Sequence, residues 1–466
     1  MLNRNRKPRQ KKRPQLHHAL LTVGVMAAAM LTAVGILHTS PHIPLVFGCL
    51  AAGLTAWYLG SSWDEILEGM IGGITDSLEA VLILLMIGMV VGTWIAGGTV
   101  PTLICYGLKV ISPSAFLPSA MLICALVACA IGSWGTVGTI GLAFMGIGTA
   151  LQIPAPMICG AVISGAYMGE VISPLSDATN LAAAAAGENV FSVVKKTIPT
   201  ALTGGIMAAL MFAAAGMKFG GGQADAVQQT VGPLVESLRA QFHISPVTLI
   251  PLVVMAACIL AKVPAIPSML SGSLAGMATV LLVQKGSPAS VFICASEGYT
   301  STTGNEMLDT LLTAGGLQNM MEPVSIIILA MAFGGIMKES GQMDALVEPL
   351  VSRLNSIGGL SCLTVLSCVF LNVMLPDQYL AISLPGQMYG PAMKKRGIPG
   401  SMLGAMLLGG GAVTSPLVPW NTCGIYCRTL LGVSPAAYGR WTFYGLMLPV
   451  LFMIKVAISR KTRTRV

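Results

Sequence analysis

GGITDSLEAVLILLMIGMVVGTWIAGG, residues 72–98, returns as GGLQNMMEPVSIIILAMAFGGIMKESG, residues 315–341. The strings align without a gap and share their opening glycines, Glu79 with Glu322, Val81 with Val324 and Gly92 with Gly335. Upstream, DEILEGMI from Asp64 resembles NEMLDTLL from Asn305, and IPLVFGCLAAG from Ile43 resembles IPSMLSGSLAG from Ile266. Downstream, ISPLSDATN from Ile172 parallels TSPLVPWNT from Thr414. One such match means little in a chain built from few residue types. Several in the same order indicate duplication.

The repeats lie in a very apolar chain. Of 466 residues, 54% are hydrophobic and 9% charged. A soluble domain carries about 25% charged residues, so this chain lacks the means to cover an ordinary water-facing surface. Apolar stretches near the bilayer-spanning length recur at 19–37, 78–95, 199–217, 246–260 and 443–458. The expectation is an all-α polytopic membrane protein with two repeated halves, inverted as in many transporters, with broken or re-entrant helices and about 10–12 full spans. Residues 1–39 form a basic N terminus and an extra first helix, and 40–215 the first transmembrane repeat. A linker with an intervening helix fills 216–262, the second repeat covers 263–458, and 459–466 is a basic tail.

The net charge of +8 is concentrated at the ends. Seven basic residues lie between Arg4 and Arg13 and four between Arg460 and Arg465. Short basic flanks stay on the cytoplasmic side, which places both termini there and requires an even number of crossings. Their partner is anionic membrane lipid, not nucleic acid. The first apolar segment reads as a retained helix, since no processing site follows it. The 11 cysteines form no CxxC pair, and most sit in apolar runs, as small hydrophobes do. Residues 216–246 hold an amphipathic portion that either lies on the membrane surface or packs against a partner subunit in a homodimer.

Chemistry concentrates in GEVISPLSDATNLAAA, residues 169–184. Gly169, Pro174 and Asn180 interrupt an apolar helix, and Pro174 leaves nearby carbonyls without an amide partner. Ser173, Ser176, Asp177, Thr179 and Asn180 supply oxygen ligands suited to a hard cation such as sodium. A charged Asp inside a membrane costs roughly 2.5–3.5 kcal/mol on insertion scales, so Asp177 reads as an ion or proton site. The bland alternative is a helix cap. Glu170 belongs to the same acidic network or sits at the membrane edge.

The matching place in the second repeat is GAVTSPLVPWNTCGIY, residues 411–426, where Thr414, Ser415, Asn421 and Thr422 surround Pro416 and Pro419. It contains no Asp. A carboxylate is available from LPDQYLAISLPG, residues 375–386, where Asp377 is either a ligand or a turn residue. Asp377 precedes Ser415 by 38 positions, as Gly135 of GSWGTVGTIG (residues 132–141) precedes Ser173. There Thr136 offers a hydroxyl ligand, while the glycine spacing by itself allows close helix packing. Glu79 and Glu322 start matching apolar helices, either as a network or as dipole partners. EGYTSTTGNEMLD, starting at Glu297, lines an access path or forms an exposed loop.

The strings GSWGTVGTIG, SGAYMGEVISPLSDATNLA, MAFGGIMKESG, PDQYLAISLPGQMY and TSPLVPWNTCGIY together resemble the C-type sodium/proton antiporter family. The resemblance extends from about Gly72 to Trp441. It implies secondary exchange of sodium for protons in a prokaryotic plasma (inner) membrane, without nucleotide hydrolysis or any cofactor beyond the transported ions. Asp177 and Asp377 match acidic positions in the family's polar motifs and are the implied sodium ligands. Ser173, Thr179, Asn180, Ser415, Asn421 and Thr422 fall inside its signature strings. One departure is Glu170–Val171, where related antiporters commonly carry an Asp–Lys pair. Sodium-coupled exchange of organic anions such as malate and lactate is the alternative. It calls for positive groups of which few are central here. A channel, a scaffold and an enzyme fit less well, the last because no nucleophile–base set or metal cluster is apparent.

Overall fold

The structure, a computed structural model, describes residues 12–463 apart from 38, 111, 175, 220–223, 262, 347–356 and 376. The described elements are helical, save one isolated bridge between Tyr299 and Ala314. Helix α1 (Leu16–Met30) is the extra N-terminal helix. The first half continues with α2 (His42–Tyr58), α3 (Trp63–Asp76), α4 (Leu78–Ala96) and α5 (Thr99–Val110). It then runs through α6 (Phe116–Thr136), α7 (Leu142–Ala150), α8 (Ala155–Ile172), α9 (Asp177–Ala185) and α10 (Val190–Gly216). The linker region carries α11 (Ala224–Gln241) and α12 (Ile250–Leu260).

The second half repeats this order as α13 (Ala265–Leu282), α14 (Pro288–Ser296), α15 (Glu306–Leu312) and α16 (Met321–Glu339). It closes with α17 (Ile357–Met374), α18 (Gln378–Lys395), α19 (Gly400–Leu407), α20 (Thr422–Leu431) and α21 (Phe443–Arg463).

Four described helices are each long and apolar enough to cross a bilayer: Leu16–Val34, Ala155–Ile172, Val190–Phe219 and Gln318–Glu339. Three more pass that test only as bent pairs, with breaks of 66°, 83° and 46°. The 46° break separates Gly400–Leu417 from Thr422–Leu431, at the second SPL motif. Large apolar side chains such as Leu126, Leu210 and Leu282 are exposed on the outer surface, as lipid contact requires. The protein is an all-α polytopic membrane protein with repeated, broken spans. The terminal basic clusters lie mostly outside the described residues, as do the side chains of residues 220–231.

The halves pack crosswise. Helix α16 of the second half lies against α2 and α3 of the first, and α4 of the first lies against α13 and α14 of the second. The aligned glycines explain how. A Cβ on Gly335 would stand 2.0 Å from the Gly69 carbonyl oxygen, and one on Gly92 would stand 2.1 Å from that of Cys294. Lipid supplies no hydrophobic drive between spans, so close backbone approach through small residues does the joining. The Trp94 indole N–H adds a bond to the Gly272 carbonyl at 3.1 Å, from α4 to α13.

Gly335→Leu is expected to force α3 and α16 apart and to lower the melting temperature in detergent, since overpacking costs about 1–3 kcal/mol or more. Gly24→Leu, where nothing lies within 4 Å of an added Cβ, is the matched control. Equal melting of the two variants would refute the crosswise contact.

Candidate functional site

Four interrupted helices meet at the site. The first is α6, which breaks at Gly132 (φ 73°, ψ 173°), a conformation essentially reserved for glycine. The helix resumes at once with Ser133. The break frees carbonyls upstream, and the Cys129 carbonyl accepts a hydrogen bond from Ser173 Oγ of the second break at 2.6 Å. The Thr136 hydroxyl donates back to the Gly132 carbonyl at 2.8 Å.

The second break separates α8 from α9 and contains Ser173 and Pro174. Thr179 Oγ1 donates to the Glu170 carbonyl at 2.9 Å. The Asn180 side-chain amide donates to the carbonyls of Pro174 at 3.0 Å and Ser176 at 2.9 Å. Thr179 and Asn180 thus tie down carbonyls that Pro174 and the chain reversal release. Ser176 is the residue in the N-cap position of α9, without a side-chain cap bond, and Asp177 follows in the first helical turn. Asp177 itself is exposed.

The third and fourth breaks belong to the second half. Asp377 caps α18, accepting from the Leu380 amide at 2.9 Å, and is 3% exposed. It is a buried cap at the head of a broken span. Asn421 caps α20, its side-chain oxygen accepting from the Cys423 amide at 3.1 Å. Thr422 Oγ1 reaches the Asn421 side-chain oxygen at 3.5 Å. Ser415 Oγ lies 2.8 Å from Gln378 Oε1 and 2.7 Å from the Ala412 carbonyl, bridging both breaks. Asn372 completes the seam: its amide donates to the Gly411 carbonyl at 2.6 Å and to Thr414 Oγ1 at 2.9 Å. The Asn421 amide in turn donates to Asn372 Oδ1 at 3.1 Å.

The halves join here as well. The rings of Trp134 and Tyr426 stack with centroids 4.5 Å apart and planes 11° apart, and the Tyr426 hydroxyl donates to the Trp134 carbonyl. Three carboxylates converge on this zone. Glu170 lies in the last turn of α8, Asp177 in the first turn of α9 and Asp377 at the N-cap of α18. Glu170 is 6% exposed. No Lys, Arg or His occurs between Lys109 and Lys195, between Arg353 and Lys394, or between Arg396 and Arg428. All four breaks fall inside those windows.

The other acids stand apart. Glu322 is exposed at the start of α16, Glu297 is exposed after α14, and the Glu79 side chain lies outside the described residues. The loop after Glu297 closes on Asp309, which accepts from Ser301 Oγ at 2.8 Å, Thr303 N at 2.6 Å and Thr303 Oγ1 at 2.7 Å. Sequence reasoning missed Asn372, Gln378 and Tyr379 as site residues. The signal for the last two was their place in PDQY, directly after an acid in an apolar chain.

Among the described residues, no group of three or more His, Cys, Asp or Glu side chains could hold a metal ion. The available donors are carboxylate, hydroxyl and carbonyl oxygens, a hard set suited to an alkali cation. Broken, duplicated spans that meet at a buried acidic site define a multi-pass secondary transporter.

The comparisons narrow that class. The chain belongs to the Na+/H+ antiporter family, whose model matches residues 15–217 and 165–459. It is 34% identical to the Na(+)/H(+) antiporter NhaC of Alkalihalophilus pseudofirmus over 95% of this chain and 96% of that one. It is 33% identical to the malate-2H(+)/Na(+)-lactate antiporter of Bacillus subtilis, covering 96% and 93% of the two chains. It is 31% identical to the arginine/ornithine antiporter ArcD of Halobacterium salinarum, covering 95% and 92%. Its relatives are antiporters rather than enzymes.

Asn372→Ala should leave the Asn421 amide and the Gly411 carbonyl short of a buried partner. Each such loss costs about 1–3 kcal/mol. A clear drop in melting temperature of the purified protein is expected. An unchanged melting curve would show that the seam does not depend on this side chain.

Proposed function

We propose that the protein exchanges sodium for protons by alternating access. Asp177 is the carboxylate that holds either cargo, and Asp377 is its counterpart from the second half. The observation that carries this reading is the placing of Glu170, Asp177 and Asp377 at helix breaks whose sequence windows contain no basic residue. A carboxylate holding one cargo is neutral with a proton or charged beside a cation, so the two cargoes compete for it. Asp177, exposed at the head of α9, gives the cargo an aqueous route. Ser173, Thr179, Asn180, Thr136, Ser415, Asn421 and Thr422 hold the breaks in shape, and the lone pairs of their oxygens remain available to a passing ion.

Rocking of residues 40–215 against 263–458 would switch access to the site. Sodium/proton exchange in the Alkalihalophilus pseudofirmus relative and sodium coupling in the Bacillus subtilis relative support the choice of ion. An organic dianion would need fixed positive charge that these windows lack. The membrane is the plasma membrane of a prokaryote, with both termini on the cytoplasmic side.

The test is purified protein in liposomes with a pH dye inside. Sodium added outside should enter as protons leave, making the lumen alkaline with the membrane potential clamped. Sodium entry without proton movement would reject the reading, and movement driven only by malate, lactate or arginine would replace it. Asp177→Asn keeps the side-chain volume and removes the exchangeable charge. It should cut exchange at least tenfold in correctly inserted protein. Near-normal exchange would exclude an essential carboxylate at this position.

A further inference from the structure

A groove opens between α1 and α2. His17, His18, Leu21, Leu54, Thr55 and Tyr58 line a space of about 300 Å³. That is within the range of small-ligand sites, roughly 300–1,000 Å³. A polar seam beside it fixes its walls. Thr22 Oγ1 of α1 lies 3.0 Å from Thr55 Oγ1 of α2 and 2.7 Å from Gln342 Oε1, just beyond the end of α16. The Gln342 amide donates to the Ala52 carbonyl of α2 at 3.1 Å. These bonds set the spacing of the two helices, so the groove is preformed.

The two ends of the groove differ in chemistry. His17 and His18 lie in the first turn of α1 and Tyr58 in the last turn of α2, which makes one mouth polar. Leu21 follows His17 by one turn and Leu54 precedes Tyr58 by one turn, each on the same helix face. Both leucines are largely exposed, at 63% and 64%. The polar mouth stands at the level of the membrane–water boundary, where Trp57, Tyr58 and Trp63 are exposed as an aromatic belt is. The basic N-terminal segment arrives at the same level. The Lys12 amide donates to the Leu59 carbonyl at 2.8 Å, and Lys12 Nζ lies 5.0 Å from the centre of the Tyr58 ring. His18 Nδ1 accepts from the Gln15 amide at 3.2 Å, which puts the ring proton on Nε2 as a donor. No carboxylate is among the lining residues.

We propose that this groove holds the headgroup of one anionic glycerophospholipid. The phosphate meets the Lys12 ammonium, the imidazoles of His17 and His18 and the Tyr58 hydroxyl, while an acyl chain runs inward along Leu21 and Leu54. Charge and the gradient from polar to apolar choose the occupant. Lys12 and Arg13 are exposed at the mouth, so a zwitterionic headgroup would bring a further cation to a place that already has two. A small soluble anion would leave the leucine end uncovered. Attraction of the terminal basic runs to an anionic leaflet needs neither a groove nor a fixed stoichiometry; this site has both. It does not depend on which cargo is exchanged. Because α2 packs on α16 and Thr22 reaches Gln342, a lipid seated here steadies α1 against the second half.

The experiment is native mass spectrometry of the purified full-length protein, stripped of lipid in a neutral detergent. It is mixed with equal amounts of phosphatidylglycerol and phosphatidylcholine carrying the same acyl chains. Wild type should retain one phosphatidylglycerol per chain, at least tenfold over phosphatidylcholine. The triple variant Lys12→Gln/His17→Gln/His18→Gln should lose that preference. Leu54→Trp keeps every charge, fills the apolar end and should weaken retention at least tenfold. Monodisperse elution would show that both variants fold. Lys195→Gln/Lys196→Gln removes charge from exposed positions in α10 and should leave retention unchanged. Equal retention of the two lipids by wild type would overturn the proposal. So would a loss in the α10 variant as large as in the triple variant, which would mark diffuse attraction. A dimer that Leu54→Trp dissociates while lipid retention stays unchanged would give the groove to a second copy of the chain, and would overturn it as well.

Discussion

Within a bilayer the backbone has no water to fall back on, so each freed carbonyl and amide must find a partner inside the protein. That requirement shapes the centre of this molecule. Breaking a helix there exposes main-chain polar groups, and this chain breaks four of them close together. The repair is local and specific. Hydroxyls of Thr136, Ser173, Thr179 and Thr414 return to main-chain carbonyls, while the carboxamides of Asn180, Asn372 and Asn421 reach across the gaps. Around those engaged groups stand the acids Glu170, Asp177 and Asp377. Asp377 is the intermediate case: it caps a helix and contributes charge to the same zone.

Crosswise packing gives the breaks something firm to work against. Each half lends an unbroken helix pair to cradle the matching span of the other, with α2 and α3 holding α16 and with α13 and α14 holding α4. The glycine pair at 92 and 335 lets backbones touch there. The interrupted helices add side-chain hydrogen bonds and one aromatic contact to close packing of their own, a Cβ on Gly169 of α8 standing 2.2 Å from the Ala125 carbonyl oxygen of α6.

Much of this was legible in the sequence. Duplication was visible because Gly92 and Gly335 are required by backbone contact and therefore recur in register. The helix breaks announced themselves through proline and clustered oxygen side chains in apolar runs. The division of labour among those oxygens was not legible. Nothing in SPLSDATN distinguishes Ser173, which bonds to a carbonyl on another helix, from Ser176, which does not. That difference depends on where Cys129 and Gly132 fall, some forty residues earlier. Glu170 was equally ambiguous, since burial is decided by the helix packed over it.

The stack between Trp134 and Tyr426 has mechanical meaning. Two nearly parallel rings can slide over one another while keeping much of their contact, so this junction offers little resistance to shear. The hydroxyl bond from Tyr426 to the Trp134 carbonyl is directional and holds only at one registration. On the proposed exchange mechanism, sliding here would keep the ring contact and break the hydroxyl bond, so the junction would act as a smooth bearing with a single stop.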